Sequence, residues 1–256
     1  MKKILFVFMT TLTLVACKKN DDLPGQEPEQ LLELRHGNEF VKLQYDAAGK
    51  VSKAIVKDEV ITDGDEVQYT ISYNAQGKIA EMLSSDGETV RAVYTNGRLT
   101  KAEYVAGNQV YGFTEYEYQN NLVKTIRMKG ADNNNNTVTV MLFELTYNAQ
   151  NQVVKSEVSI RNPFADVLEK AGYTLLDYDS KKNPLYDMGD LMLLLLEVPA
   201  ANNVIKETQY EADDELEETR EYTYTYNSKN LPTGAVLKST FPGQPATTSN
   251  VTYTYR

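Results

Sequence analysis

The sequence predicts an all-β protein, a consecutive antiparallel meander of repeated β-hairpins that forms a curved, twisted sheet. One or two short helices are expected within it, at about 163–171 and 190–198. Three observations carry this. A phrase made of Tyr, then Asn or Asp, then small turn residues recurs along the chain. The residues before each copy alternate strictly between apolar and polar, the period of a sheet with one buried and one wet face. The copies follow one another at steps of roughly 20–30 residues, which points to a repeat architecture with variable loops at the far hairpin ends.

The clearest copy is Tyr73-Asn-Ala-Gln-Gly-Lys-Ile79. It closes the run Val67–Tyr73 and opens Ile79–Leu83. Others begin at Tyr45, Tyr94, Tyr118, Tyr147 and Tyr226, with a degenerate one at Tyr178. Asn, Asp and Gly tolerate positive φ, so they supply the reversal between two antiparallel strands. Asn96-Gly97 is the strongest two-residue hairpin signal of the set. Each phrase is thus one hairpin, with Tyr as the last residue before the turn.

The N-terminus reads differently. Met1-Lys-Lys3 is a basic start, and Ile4 to Ala16 is an apolar stretch of secretory length, too short to span a bilayer comfortably. It runs into Leu14-Val-Ala-Cys17, which resembles the bacterial lipobox. An ordinary secreted protein, or a buried helix with a chance Cys, is the plainer reading. The basic start, the apolar stretch and the single Cys of the chain all meet at Cys17, and this favours lipid attachment there. The expected organisation is a signal peptide at 1–16, a lipid anchor and flexible tether at 17–38, and a β-hairpin repeat domain at 39–256. Lys18-Lys-Asn-Asp-Asp22 is similar to the charged export signal of Bacteroidetes surface lipoproteins, and it is equally well read as a solvated linker.

Within the repeat domain, Val41, Leu43 and Tyr45 share one face, as do Tyr69, Ile71 and Tyr73, then Phe143, Leu145 and Tyr147, then Tyr222, Tyr224 and Tyr226. Lys42, Gln44, Thr70, Ser72, Arg91, Glu115 and Glu117 take the other face. The runs Asp132–Asn136 and Asp213–Glu215 read as solvated hairpin tips. The repeat breaks between about 162 and 203. Asn162 followed by Pro163 suggests a helix start over 163–171. Asp190 followed by the apolar run Leu191–Leu196 suggests a second helix, ending before Pro199 and buried against the sheet. A binding groove built on this insertion is the alternative.

The hairpin phrases, best in Tyr94-Thr-Asn-Gly-Arg-Leu-Thr100, resemble the YD repeats of RHS-type proteins, which wind into a curved shell. Residues 39–256 as a whole resemble a family of Bacteroidetes lipoproteins of unknown function. The residues that carry this are Asp179-x-x-Lys182-Asn183-Pro184, the Leu-rich stretch 191–196 and Asn202-Asn-Val204. That resemblance implies an outer-membrane lipoprotein, periplasmic or surface-exposed, with no known chemistry. The array is short and interrupted, so an enclosing toxin shell is not implied.

Composition narrows the function classes. Net charge is −10, which disfavours nucleic acid and docking on anionic lipid through a basic patch. The chain has 1 His, His36, placed by this reading in the tether, so a His-based triad or zinc site is not expected. No P-loop, dinucleotide fingerprint or nucleophile elbow occurs. The expectation is therefore a non-catalytic lipoprotein without cofactor or metal. It would be held to the membrane through Cys17 and would bind a ligand, a glycan or an envelope protein at residues the sequence does not specify. Two alternatives stay open: a carboxylate-based carbohydrate-active enzyme, since Asp and Glu together number 36, and a structural subunit that pairs through free sheet edges.

Overall fold

The computed structural model describes residues 29–256 apart from 60, 61, 63, 133–135, 163 and 199. The expected signal peptide, Cys17 and the stretch 18–28 lie outside the described residues. In chain order the strands are β1 (Leu31–His36), β2 (Glu39–Tyr45), β3 (Val51–Lys57), β4 (Glu66–Tyr73), β5 (Ile79–Ser84), β6 (Glu88–Thr95), β7 (Arg98–Ala106), β8 (Gln109–Gln119), β9 (Leu122–Ala131), β10 (Thr137–Tyr147), β11 (Val153–Asn162), β12 (Val167–Lys182), β13 (Asn202–Glu211), β14 (Leu216–Tyr226), β15 (Pro232–Thr240) and β16 (Thr247–Tyr255). Every strand pairs antiparallel with its neighbours in sequence, and β1 pairs with β16.

The expected antiparallel meander is present, but it is a closed barrel and not an open curved sheet. Closure runs from Leu31 opposite Tyr255 to His36 opposite Val251. It removes the two unpaired strand edges that an open meander would leave. The strand that closes it, β1, lies inside the stretch read as tether, and the backbone is already paired at Gln30, which exchanges two hydrogen bonds with Arg256. The expected helix at 163–171 is absent, because β12 begins at Val167. The capping chemistry of Asn162 is real, since its Oδ1 accepts from the backbone N–H of Phe164 and Ala165. It closes a hairpin tip instead of starting a helix.

The wall obeys the alternation read from the sequence. Leu43, Ala54, Val56, Ile71, Met82, Ala102, Ile126, Leu145 and Leu237 point inward and join one buried cluster. Each large apolar side chain so buried contributes about 1.5–3 kcal/mol. The outer face carries ion pairs between adjacent strands: Arg91 with Glu81 and Glu103, Arg127 with Glu117, Lys129 with Glu115, and Lys238 with Glu221. The wall is therefore apolar inside, and outside it carries ion pairs interspersed with exposed apolar side chains such as Leu83, Leu175, Ile205 and Val236.

A ring of tyrosines closes one end, here called the turn rim. At each turn-proximal Tyr the register slips by one residue. Gln44 faces Lys53 while Tyr45 faces Val51, and the same slip occurs at Tyr73, Tyr94, Tyr118, Tyr147 and Tyr226. Such a bulge interrupts the ladder and strands a carbonyl. The hydroxyl of the next tyrosine satisfies it. Tyr73 donates to the Val51 carbonyl at 2.7 Å, Tyr118 to Leu99 at 2.8 Å, Tyr147 to Val123 at 2.6 Å and Tyr178 to Val153 at 2.7 Å. Tyr224 to Val204 at 2.9 Å, Tyr255 to Pro232 at 2.8 Å and Tyr45 to Leu31 at 2.7 Å carry the ring across the closure. The residue after Tyr locks the turn. The Oδ1 atoms of Asp46, Asn74, Asn148 and Asn227 each accept from the N–H groups two and four residues on. Gly77, at φ +75°, supplies the left-handed residue such a turn needs.

Sixteen strands enclose a lumen too wide for wall side chains to fill. The insertion between β12 and β13 fills it. After Asn183 the chain makes one 3-10 turn, Tyr186–Met188, then the short helix α1 (Asp190–Leu194), and returns at Asn202. The expected helix at 190–198 is thus shorter, and Gly189, not Asp190, is its N-cap. Leu191, Met192, Leu193, Leu194 and Leu195 are each 5% exposed or less and belong to the same cluster as the wall. The Tyr116 hydroxyl, from mid-β8, donates to the Leu193 carbonyl at 2.7 Å across the lumen. Asp179 pins the exit of the plug, its Oδ1 accepting from the N–H of Lys181 at 2.9 Å and of Asn203 at 3.1 Å.

Candidate functional site

Hollows lie beside the plug at both ends of the barrel. One, about 540 Å3, lies at the turn rim between the plug and the hairpins that follow Tyr45 and Tyr73. Its charges already have partners: Lys78 lies 3.6 Å from Asp190, and the Lys50 ammonium sits over the Tyr73 ring at 4.8 Å. The Tyr94 hydroxyl bonds no carbonyl and lies beside Asp190, whereas the Tyr226 hydroxyl donates to the Asp179 carboxylate. Burial, and then the Asp190 carboxylate, push the Tyr94 pKa up.

The second is a pit of about 120 Å3. It runs from the opposite end of the barrel, the loop rim, at His36, Glu39, Lys57 and Asp58, down to Asn183, Leu185 and Glu197 of the plug. Its walls are largely apolar, formed by Leu34, Val41, Val56, Val204 and Val251, with Tyr222, Tyr224 and Tyr253. The alternation of β1, β3, β13, β14 and β16 aims these side chains inward. β1 is the strand read as tether, so sequence reasoning placed His36 outside the fold. In the structure its Nε2 is 2.7 Å from the Ser249 hydroxyl of β16, and its Nδ1 is 3.7 Å from Glu39.

Two carboxyls define the pit electrostatically. Glu197 ends the apolar run of the plug. It is half-buried and lines the cavity. No donor among the described residues reaches its carboxyl. Burial, and then the negative charges of Asp58 and Glu207, push its pKa up to about 8. Glu207 on β13 is 2% exposed and is pushed up to about 7, mainly by burial, with Arg220 pulling the other way. Arg220 lies 2.8 Å from Glu218 and 3.9 Å from Glu207, and the Tyr222 hydroxyl donates to Glu207 at 3.3 Å. Near neutral pH the floor of the pit therefore holds protons on carboxyls, which can donate hydrogen bonds or give the protons up to an arriving cation. Among the described residues no group of three or more His, Cys, Asp or Glu side chains is placed to hold a metal ion.

The mouth is acidic. The loops of this rim carry Asp58, Glu59, Asp65, Asp86, Asp132, Asp166, Asp213, Asp214 and Glu215, and no Lys or Arg among the described residues. Strand-end cations pair with two of these acids, Arg161 with Asp166 and Lys170 with Asp214. The N-terminal segment enters at the other end, beside Arg256 and the turn rim. The sequence singled out neither Glu197 nor Glu207. The available signals were an acid closing an apolar run, and acids at 207 and 218 in phase with inward residues of their strands.

No family model matches this chain, and no curated protein matches it. Solved structures do. A porin-like protein from Bacteroides uniformis ATCC 8492 aligns with a TM-score of 0.60 at 14% identity, covering 90% of this chain and 97% of that one. A porin-like protein from Bacteroides vulgatus ATCC 8482 aligns with a TM-score of 0.54 at 13% identity, covering 89% and 99%. The TcdB2-TccC3-Cdc42 structure aligns at a TM-score of 0.34 and 12% identity, over 82% of this chain and 12% of that one. At these identities the likeness to the two Bacteroides proteins is one of fold: an all-β barrel whose whole length this chain spans.

Proposed function

We propose that this chain is a lipid-anchored envelope protein, held to the outer membrane through Cys17, whose plugged barrel binds a small molecule in the loop-rim pit without turning it over. The pit carries this reading: beside the plug it leaves a concave, mostly apolar space into which a few polar groups converge. A channel role has less support. A membrane-spanning barrel presents an apolar band to lipid and a polar lumen, whereas this wall carries ion pairs outside and apolar side chains inside. Among the described residues, closure also leaves no free sheet edge for a structural subunit to pair through. The N-terminal segment enters at the turn rim, so an anchor at Cys17 would hold that rim toward the membrane and turn the pit away from it.

A thermal-shift screen of the full-length lipid-bearing protein in detergent, against a small-molecule library, tests the reading. A ligand at a hundred times its Kd stabilises by about 2.7 kcal/mol, a shift of several degrees. Hits lost on Val56→Phe, which fills the pit, support the proposal. Hydrolysis of a hit, or hits indifferent to that substitution, would contradict it.

A further inference from the structure

Resting on the pit as the binding site, we propose that its ligand is a small organic cation: an amine on an apolar body about the size of a benzene ring, with its ammonium seated on Glu197. Three independent features converge on this chemistry. The first is Glu197 itself, a half-buried carboxyl that lines the cavity and is reached by no donor among the described residues. A polar group in that position lacks a partner that a ligand can supply. An N–H donor carrying positive charge is the strongest such partner for a carboxyl.

The second is the sign of the surroundings. Asp58, Glu207 and Glu39 share the pit with Glu197, against Lys57 and His36 at the mouth and Arg220 behind Glu207. Arg220 is already engaged by Glu218 at 2.8 Å. An added anion would meet this field unfavourably, and an added cation would relieve it. The acidic loops around the mouth raise the local concentration of cations and repel anions, an effect that works at a distance and weakens with salt.

The third is the wall. Leu34, Val41, Val56, Val204 and Val251 offer no hydrogen bonds, so a sugar or a polyamine would leave polar groups unpaired against them. The tyrosine rings on the same wall suit an apolar body that carries a cationic head. The volume, about 120 Å3, is close to that of an engineered cavity known to take benzene.

Binding would move a proton. Near neutral pH the Glu197 carboxyl is largely protonated, and the amine arrives as an ammonium. Seating the ammonium ionises the carboxyl, whose proton passes to solvent, and no other bond is made or broken. The charged groups that face Glu197 are Asp58 and Glu207, with His36, Glu39 and Lys57 further up the pit.

The test uses the full-length, lipid-bearing protein in detergent and three probes of one shape: benzylamine, benzyl alcohol and benzoate. Titration calorimetry at pH 7 in two buffers of different ionisation enthalpy reads affinity and proton release together. Benzylamine is expected to bind at least about tenfold tighter than benzyl alcohol, with release approaching one proton, and benzoate is expected not to bind. Glu197→Gln keeps the side-chain volume and should remove both the preference for amine and the proton release. Glu39→Gln at the mouth should weaken the amine by less, and Glu157→Gln on the outer wall should leave it unchanged. Benzyl alcohol binding as tightly as benzylamine, or Glu197→Gln leaving amine affinity and proton release intact, overturns the cation assignment while the pit remains a binding site. If none of the three probes binds, the assignment is overturned as well, and the library screen decides separately whether the pit binds anything.

Discussion

Replacing Tyr147 by Phe removes one oxygen atom and leaves the ring in place. In the structure that oxygen donates to the Val123 carbonyl at 2.6 Å, and Val123 is 3% exposed. The carbonyl belongs to a residue at a bulge, where the strand ladder offers it no regular partner. The substitution thus costs the hydrogen bond and leaves an acceptor stranded, which together is about 1–3 kcal/mol. Tyr94→Phe is the internal control. The Tyr94 ring is in the equivalent place, but its hydroxyl bonds no carbonyl, so its loss should stay within about 0.5 kcal/mol. Equilibrium urea unfolding at pH 7, with the two variants and wild type sharing one m-value, reads the difference as a shift in midpoint. Tyr118→Phe should behave like Tyr147→Phe, since its hydroxyl reaches Leu99 at 2.8 Å. If Tyr147→Phe and Tyr118→Phe cost no more than Tyr94→Phe, the ring is decoration and the tyrosines stabilise through their rings alone.

Other outcomes follow from the same structure. Truncating a ring tyrosine fully, as in Tyr147→Ala, should cost about 3–5 kcal/mol by urea unfolding, because a cavity opens behind the rim. Leu193→Ala in the plug, at 3% exposure, should cost about 2–5 kcal/mol in the same assay. Glu197 and Glu207 hold protons in the folded state up to about pH 8 and about pH 7, while the unfolded carboxyls ionise near the ordinary value of 4.5. Between those limits the unfolded chain binds fewer protons, so stability falls as pH rises, by roughly 1.4 kcal/mol per pH unit for each group. Glu197→Gln should flatten that slope between pH 5 and 8, and an unchanged slope would remove Glu197 from the argument. Cys17→Ala should release the protein from the membrane fraction and abolish palmitate incorporation, and retention on membranes would contradict the anchor.

The hairpins were legible because their chemistry is local. Tyr, an Asx residue and a Gly or Asn within a few positions set the turn, and period-two alternation on each side sets the buried face. Tyr178, a degenerate copy by eye, still occupies its place in the ring through its bond to Val153. Closure was not legible, because the pairing of β1 with β16 joins residues more than two hundred positions apart and leaves no local mark. β1 itself, Leu31–His36, follows a polar, proline-containing stretch and merges with it in composition. The 163–171 helix failed for a different reason. An Asx residue before Pro caps a helix or closes a hairpin tip with the same hydrogen bonds, and the following residues decide which. The pit needed three dimensions: Glu197 and Glu207 lie on different elements, and only the folding of the plug into the lumen brings them to one cavity.

The account rests most heavily on a wall that carries ion pairs outside and a lumen that is filled. Arg127 and Glu221 sit midway along β9 and β14 and face outward, each in an ion pair across the wall. In opened membrane vesicles carrying the full-length protein, a water-soluble maleimide should label Arg127→Cys and Glu221→Cys equally before and after detergent is added. Labelling that appears only after detergent would place this wall in lipid and contradict the account.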